Sequence, residues 1–114
     1  MTNRKSRARI IAALNDAFRR SLLSGAGHIV YTSSVGANGP TFVAKALAAV
    51  AAVDVFSTAN DPHGEHDFGS FEINGETLFW KIDYYDETMQ SGSENPADPK
   101  QTTRVLTVMM AIEY

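Results

Sequence analysis

The sequence predicts an α+β fold: one mainly antiparallel sheet of about four strands, with two helices on one face. Three observations carry that expectation. A helix-period apolar stripe opens the chain, an Asn-Gly pair joins two alternating strand-like runs, and the closing RVLTVMMAIEY is rich in β-branched residues. At 114 residues and 44% hydrophobic content, the chain suits a single domain, 1–114, with one modest core.

In the first helix, Ile10, Ile11, Leu14, Ala17, Phe18 and Leu22 recur at helical spacing, leaving Arg9, Asp16 and Arg20 opposite. Asp16 precedes Arg20 by four, the favourable order for a helix ion pair. Ser6 is placed to cap the start and Gly25 to stop the helix in a left-handed conformation. Residues 1–5 read as a flexible basic arm. HIVYT (28–32) reads as a short strand between glycines, and SSVGANG (33–39) as a loop. Pro40 suits the first turn of a second helix. Its body, TFVAKALAAVAAV, is nearly apolar all round and predicts burial on more than one side.

FGSFEINGETLFWKIDYYD (68–86) is the strongest hairpin signal. Asn74-Gly75 suits a two-residue turn in which both positions need positive φ. That turn sets Ile73 against Glu76, Phe71 against Leu78 and Gly69 against Trp80. Leu78, Trp80, Ile82 and Tyr84 then share the core face, and Gly69 leaves room for the indole. Continued pairing would set His66 opposite Asp83. The polar ETMQSGSENPADPK (87–100) is a loop. RVLTVMMAIEY is expected to be the last strand, with a third helix as the competing assignment.

Charge is unevenly spread. Residues 1–20 hold six bases against Asp16 alone, a local +5, whereas residues 54–100 hold eleven acids against Lys81 and Lys100, a local −9. Such a split bears on partners rather than on fold. The absence of cysteine excludes disulfides, thiolate nucleophiles and cysteine-ligated metal sites. The longest uncharged stretch, Ser21 to Ala44, contains four glycines and a proline and makes a poor membrane span. No apolar segment with a cleavage site follows the basic start, so a cytoplasmic location is expected.

The densest concentration of reactive groups is NDPHGEHDFG (60–69). It fits neither HExxH nor a calcium loop, and the chain has no GxSxG or phosphate-loop motif. Asp61, His63 and His66 could hold a divalent metal with an open position for water. Without metal, Glu65 or Asp83 could orient His63 or His66 as a general acid or base. The competing reading is purely structural: Asn60 or Asp61 starts a turn, Gly64 relaxes the backbone, and the acids stay solvated. Tyr84 is expected to pack in the core, Tyr85 to face outward near Lys81 and Asp83, and Arg104 to anchor an acid.

NDPHGEHDFG, WKIDYYD and RVLTVMMAIEY, with ALNDAFRR near the start, resemble a small bacterial family classed as a domain of unknown function. The likeness runs from about residue 10 to Tyr114 and is weakest over 33–53. The resemblance implies a single-domain bacterial protein, often encoded on plasmids and other mobile elements, and brings no established catalytic residues.

The leading functional expectation is a small acidic binding or regulatory protein, with an anti-defence role as one version. It would contact a protein partner of basic surface through Asp86, Glu87, Glu94 and Tyr85. The alternative is a hydrolase centred on His63 and His66, of phosphodiesterase or nuclease type. Direct nucleic-acid binding is disfavoured, because the acidic half would repel a duplex and no aromatic residues interleave the basic arm.

Overall fold

The computed structural model describes residues 4–21 and 27–114. They form helix α1 (Arg4–Arg20), strand β1 (Gly27–Tyr31), a single helical turn α2 (Ser33–Gly36) and helix α3 (Pro40–Ala52). Strands β2 (Phe68–Ile73), β3 (Glu76–Tyr85) and β4 (Thr103–Met110) follow, with a closing 3-10 turn at Ala111–Glu113. The C-terminal segment is therefore a strand, as expected, and not a third long helix.

The sheet runs β1-β4-β3-β2. β2–β3 and β3–β4 are antiparallel, so most of the pairing is as expected, but β1 joins β4 in parallel, which makes the sheet mixed. The long path through α2, α3 and the hairpin supplies the crossover that a parallel pairing needs. The hairpin itself has the expected register, Ile73 against Glu76 through Gly69 against Trp80. Asn74 (φ 52°) and Gly75 (φ 80°) both adopt the positive φ of the two-residue turn.

On the inner face Leu78, Trp80, Ile82, Leu106 and Val108 form a continuous core with Phe18 of α1, Val35 of α2, and Phe42, Ala46 and Val50 of α3. Trp80 is fully buried, and it lies so close over Gly69 that a Cβ there would sit 2.7 Å from its Cε2. On the outer face the rings of Phe68, Phe79 and Tyr114 cluster with centroids 5.3–5.5 Å apart.

The helices differ from expectation in ways that shape the site. α1 buries Ile11, Ala12, Asn15, Phe18 and Arg19, while Ile10 is 44% exposed and Ala17 is exposed. The helix has thus turned one polar edge inward, so that Arg19 can bond the Val50 carbonyl. Asp16 pairs with Arg19 at 2.8 Å rather than with Arg20. α1 already includes Arg4 and Lys5, which the sequence reading placed in an arm, and Ser6 is a helical residue rather than a cap. Leu22 and Gly25 lie outside the described residues. Ser33–Gly36, expected as loop, is a helical turn capped by Thr32, whose Oγ1 accepts from the Val35 N–H at 3.3 Å. α3 buries one stripe, Phe42, Ala46 and Val50, and is not buried on several sides: Ala44, Lys45 and Ala48 are exposed.

Candidate functional site

The loop between α3 and β2 is folded by its own polar groups. The Asn60 side chain accepts the Ser57 N–H at 3.0 Å, and Asp61 N–H donates to the Ser57 carbonyl at 2.7 Å. Asp61, buried to 7% exposure, accepts the backbone N–H of His66 on Oδ1 at 3.1 Å, and its carbonyl accepts Gly64 N–H. Gly64 (φ 70°) and His66 (φ 56°) both take left-handed backbone. A left-handed His66 turns the chain away from the ladder, whose last paired residues are Phe68 and Lys81. His66 therefore does not reach Asp83, which instead pairs with Lys81 at 3.0 Å.

His66 is carried to α1. Its ring stacks on Phe56, with centroids 3.9 Å apart and planes 3° from parallel. Its Nδ1 lies 3.0 Å from both carboxylate oxygens of Asp16. A carboxylate paired with an arginine can only accept, so Nδ1 carries the proton and donates. Nε2 lies 3.7 Å from Asp61 Oδ2. Asp16 is shared: it also accepts from Arg19, whose other nitrogen, Nη1, donates to the Val50 carbonyl at 2.6 Å. The Arg19 guanidinium lies over Phe56 and Trp80, at 5.4 and 5.1 Å from their centroids.

A second chain of bonds begins one residue earlier on α1. Asn15 donates to the Glu65 carbonyl at 3.0 Å and to the Tyr84 hydroxyl at 2.8 Å, and accepts from Arg104 Nε at 2.6 Å. Tyr84 donates to Glu65 Oε1 at 2.9 Å. Burial, with the nearby negative charge of Glu65, pushes the Tyr84 hydroxyl well above the ordinary phenol range, so it stays a neutral donor. Arg104 bonds Asn15 and the Pro96 carbonyl rather than an acid, and stacks 5.3 Å over Tyr84. Burial lowers its pKa, against the opposing influence of Tyr84 and Glu65.

The remaining candidates fall into two open grooves. His63, Asp67, Lys81 and Asp83 line one of about 360 Å³, together with the rings of Phe68 and Tyr114. Burial first, and then the charge of Glu65, raises the Asp67 carboxyl above its ordinary value. Asp86, Glu87 and Glu94 line the other, of about 500 Å³, with Thr88, Ser91 and Gln101. Asp86 caps its own loop by accepting from the Thr88 hydroxyl and from the Thr88 and Gln90 N–H groups, and these bonds hold its pKa below the usual carboxylate range. Tyr85 is half-buried, opposite Thr103 and bridged to Gly92.

The structure thus separates the two histidines: His63 is exposed in a groove, and His66 is held in the packed network. Among the described residues no group of three or more His, Asp or Glu side chains is arranged to hold a metal, so Asp61, His63 and His66 do not form the expected ligand set. Among them, too, no helix is long and apolar enough to cross a membrane.

The family model described as a protein of unknown function (DUF3768) matches residues 31–113. The chain belongs to that family. No curated protein and no solved structure matches it. The span matching DUF3768 contains Glu65, His66, Tyr84 and Arg104, while their α1 partners Asn15 and Asp16 fall outside it. The sequence reading missed Asn15, Arg19 and Phe56 as network members. The available signal was an amide and an arginine at positions 15 and 19, flanking the buried Phe18.

Proposed function

We propose that this protein is a small binding protein that engages a cationic protein partner through the acidic groove of the loop after β3. The supporting observation is that Asp86, Glu87 and Glu94 line a single concavity with no basic side chain among its described lining residues. A concave acidic surface concentrates field lines and speeds encounter with a basic partner. In a family linked to mobile elements, as the resemblance implies, such a groove suits a regulatory role, including an anti-defence role in which the carboxylates take the place of nucleic-acid phosphates. The separation of His63 from His66 counts against a catalytic histidine pair.

The test uses a lysine- and arginine-rich probe peptide with the full chain. Binding should map by NMR to 86–101 and weaken steeply with salt, since exposed charges are screened over about 10 Å at 0.1 M. Reversing Asp86, Glu87 and Glu94 to lysine should abolish it, while reversing Glu72 and Glu76, at the far end of the hairpin, should not. Equal losses from both sets would reduce the effect to net charge and sink the reading.

One observation favours a second reading: His63, Asp83 and Asp67, whose carboxyl burial raises above its ordinary value, line the same groove. That grouping suits acid–base hydrolysis of a phosphodiester. Turnover of a nitrophenyl phosphodiester that His63→Gln abolishes would support it.

A further inference from the structure

The first turn of α1 contains Arg4, Lys5 and Arg7 and no acid. Arg4 and Arg7 are three apart, so they share a helix face and repel each other. Positive charge is also least favourable at this end of a helix, where the macrodipole is itself positive. Among the described residues none of the three takes part in an ion pair. Three cations therefore share one short stretch with no ion-pair partner among the described residues.

They do not stand on a convex surface. Arg4, Lys5, Arg7 and Ala8 form one wall of a cleft of about 670 Å³, and Pro62, His63 and Glu65 form the other. The two walls are fixed to each other: Asn15 holds the Glu65 carbonyl at 3.0 Å, and Asp16 holds His66 at 3.0 Å. Pro62 and Gly64 sit in the turn that Asp61 closes, so the loop wall is ordered. The one acid among the described lining residues, Glu65, accepts the Tyr84 hydroxyl at 2.9 Å and is turned partly to that bond. Three positive charges against this one acid leave the described lining at +2, with the exposed His63 imidazole as a further donor at its rim.

We propose that this cleft is a binding site for a compact phosphorylated small molecule. Guanidinium groups match phosphate oxygens with paired, charge-assisted hydrogen bonds, and a lysine beside them adds a point charge. A multiply charged phosphate would relieve the repulsion within the α1 turn that no ion pair among the described residues offsets. The compactness follows from what surrounds the cleft. The neighbouring groove shares Pro62 and His63 with it and carries Asp67 and Asp83 against Lys81, a net negative charge that opposes the passage of an extended polyanion such as a nucleic-acid strand. The site stands apart from the acidic groove at 86–101 and does not depend on the function proposed for that groove.

The experiment is an NMR titration of the full chain with pyrophosphate, against sodium chloride at matched ionic strength. Saturable shifts at Arg4, Lys5, Arg7 and the His63 ring are expected. The double variant Arg4→Gln/Arg7→Gln should weaken binding about tenfold or more, because two charge-assisted contacts are lost. Glutamine is a good helix former, so that variant keeps α1 folded and removes a repulsion. Arg9→Gln, on the same helix but outside the cleft, should change affinity by no more than about twofold. Shifts that sodium chloride reproduces, or an equal loss in Arg9→Gln, would overturn the site. A single-stranded oligonucleotide that binds more tightly than pyrophosphate at the same residues would overturn the small-molecule assignment.

Discussion

Asp16 and His66, fifty residues apart in the chain, face each other with His66 Nδ1 3.0 Å from the Asp16 carboxylate. This contact joins the loop that begins the hairpin to the first helix. It also leaves Asp16 bridging a histidine and the fully buried Arg19.

Removing Asp16 should therefore cost more than removing His66. Asp16→Ala strands Arg19 without its acid and should destabilise by about 2–3 kcal/mol, below the full penalty of a broken buried pair because Asp16 is partly exposed. His66→Ala loses the stack on Phe56 and one bond, about 1–2 kcal/mol. In a double-mutant cycle by urea unfolding, the pair should show a coupling of about 0.5–1 kcal/mol. Strict additivity would mean that the contact contributes nothing.

Tyr84→Phe tests the second chain of bonds. The loss of one hydroxyl leaves an Asn15 N–H and the Glu65 carboxylate each short of a partner. A cost of about 1–2 kcal/mol is expected, more than ring packing alone would give, since phenylalanine keeps the ring. A change of only a few tenths would show that water replaces the hydroxyl freely.

Much of the hairpin was legible because Asn74-Gly75 dictates its own geometry and, through it, every facing pair back to Gly69 and Trp80. β1 was legible as a strand but not as a parallel one, because nothing local to HIVYT says which neighbour it will meet. The site was harder to read. Asp61, Glu65 and His66 stood out by composition, but Asn15 and Asp16, the partners of Glu65 and His66, lie fifty residues away, on a helix whose apolar stripe pointed elsewhere. Local spacing extended the ladder to His66 and Asp83. The left-handed backbone at His66, held by the Asp61 carboxylate, ended it.

Two glycines of the hairpin should fail for different reasons. At Gly75 a side chain meets open space but strained backbone, so Gly75→Val should cost about 1 kcal/mol or more, and Gly75→Asn, which tolerates positive φ, much less. At Gly69 the backbone is ordinary but Trp80 fills the space, so even Gly69→Ala should cost about 1–3 kcal/mol by overpacking. Rescue of Gly69 by asparagine would contradict the steric account.

Asp67 sets a pH dependence of definite sign. Its carboxyl is half-buried beside Glu65 and Asp61, so its folded pKa lies above its unfolded one. The folded protein therefore holds that proton more tightly than the unfolded chain does, and stability falls as pH rises between the two values. The cost is absent below the unfolded pKa and complete above the folded one. Asp67→Asn removes the charge while keeping the shape and an acceptor oxygen. Near neutral pH the variant should melt a few degrees higher than the wild type. At about pH 3, where the aspartate is largely protonated in both states, that advantage should shrink toward zero. Thermal melts of the two proteins across this range decide the point: a pH-independent difference, or a variant less stable near neutrality, would show that the Asp67 charge is compensated within the groove.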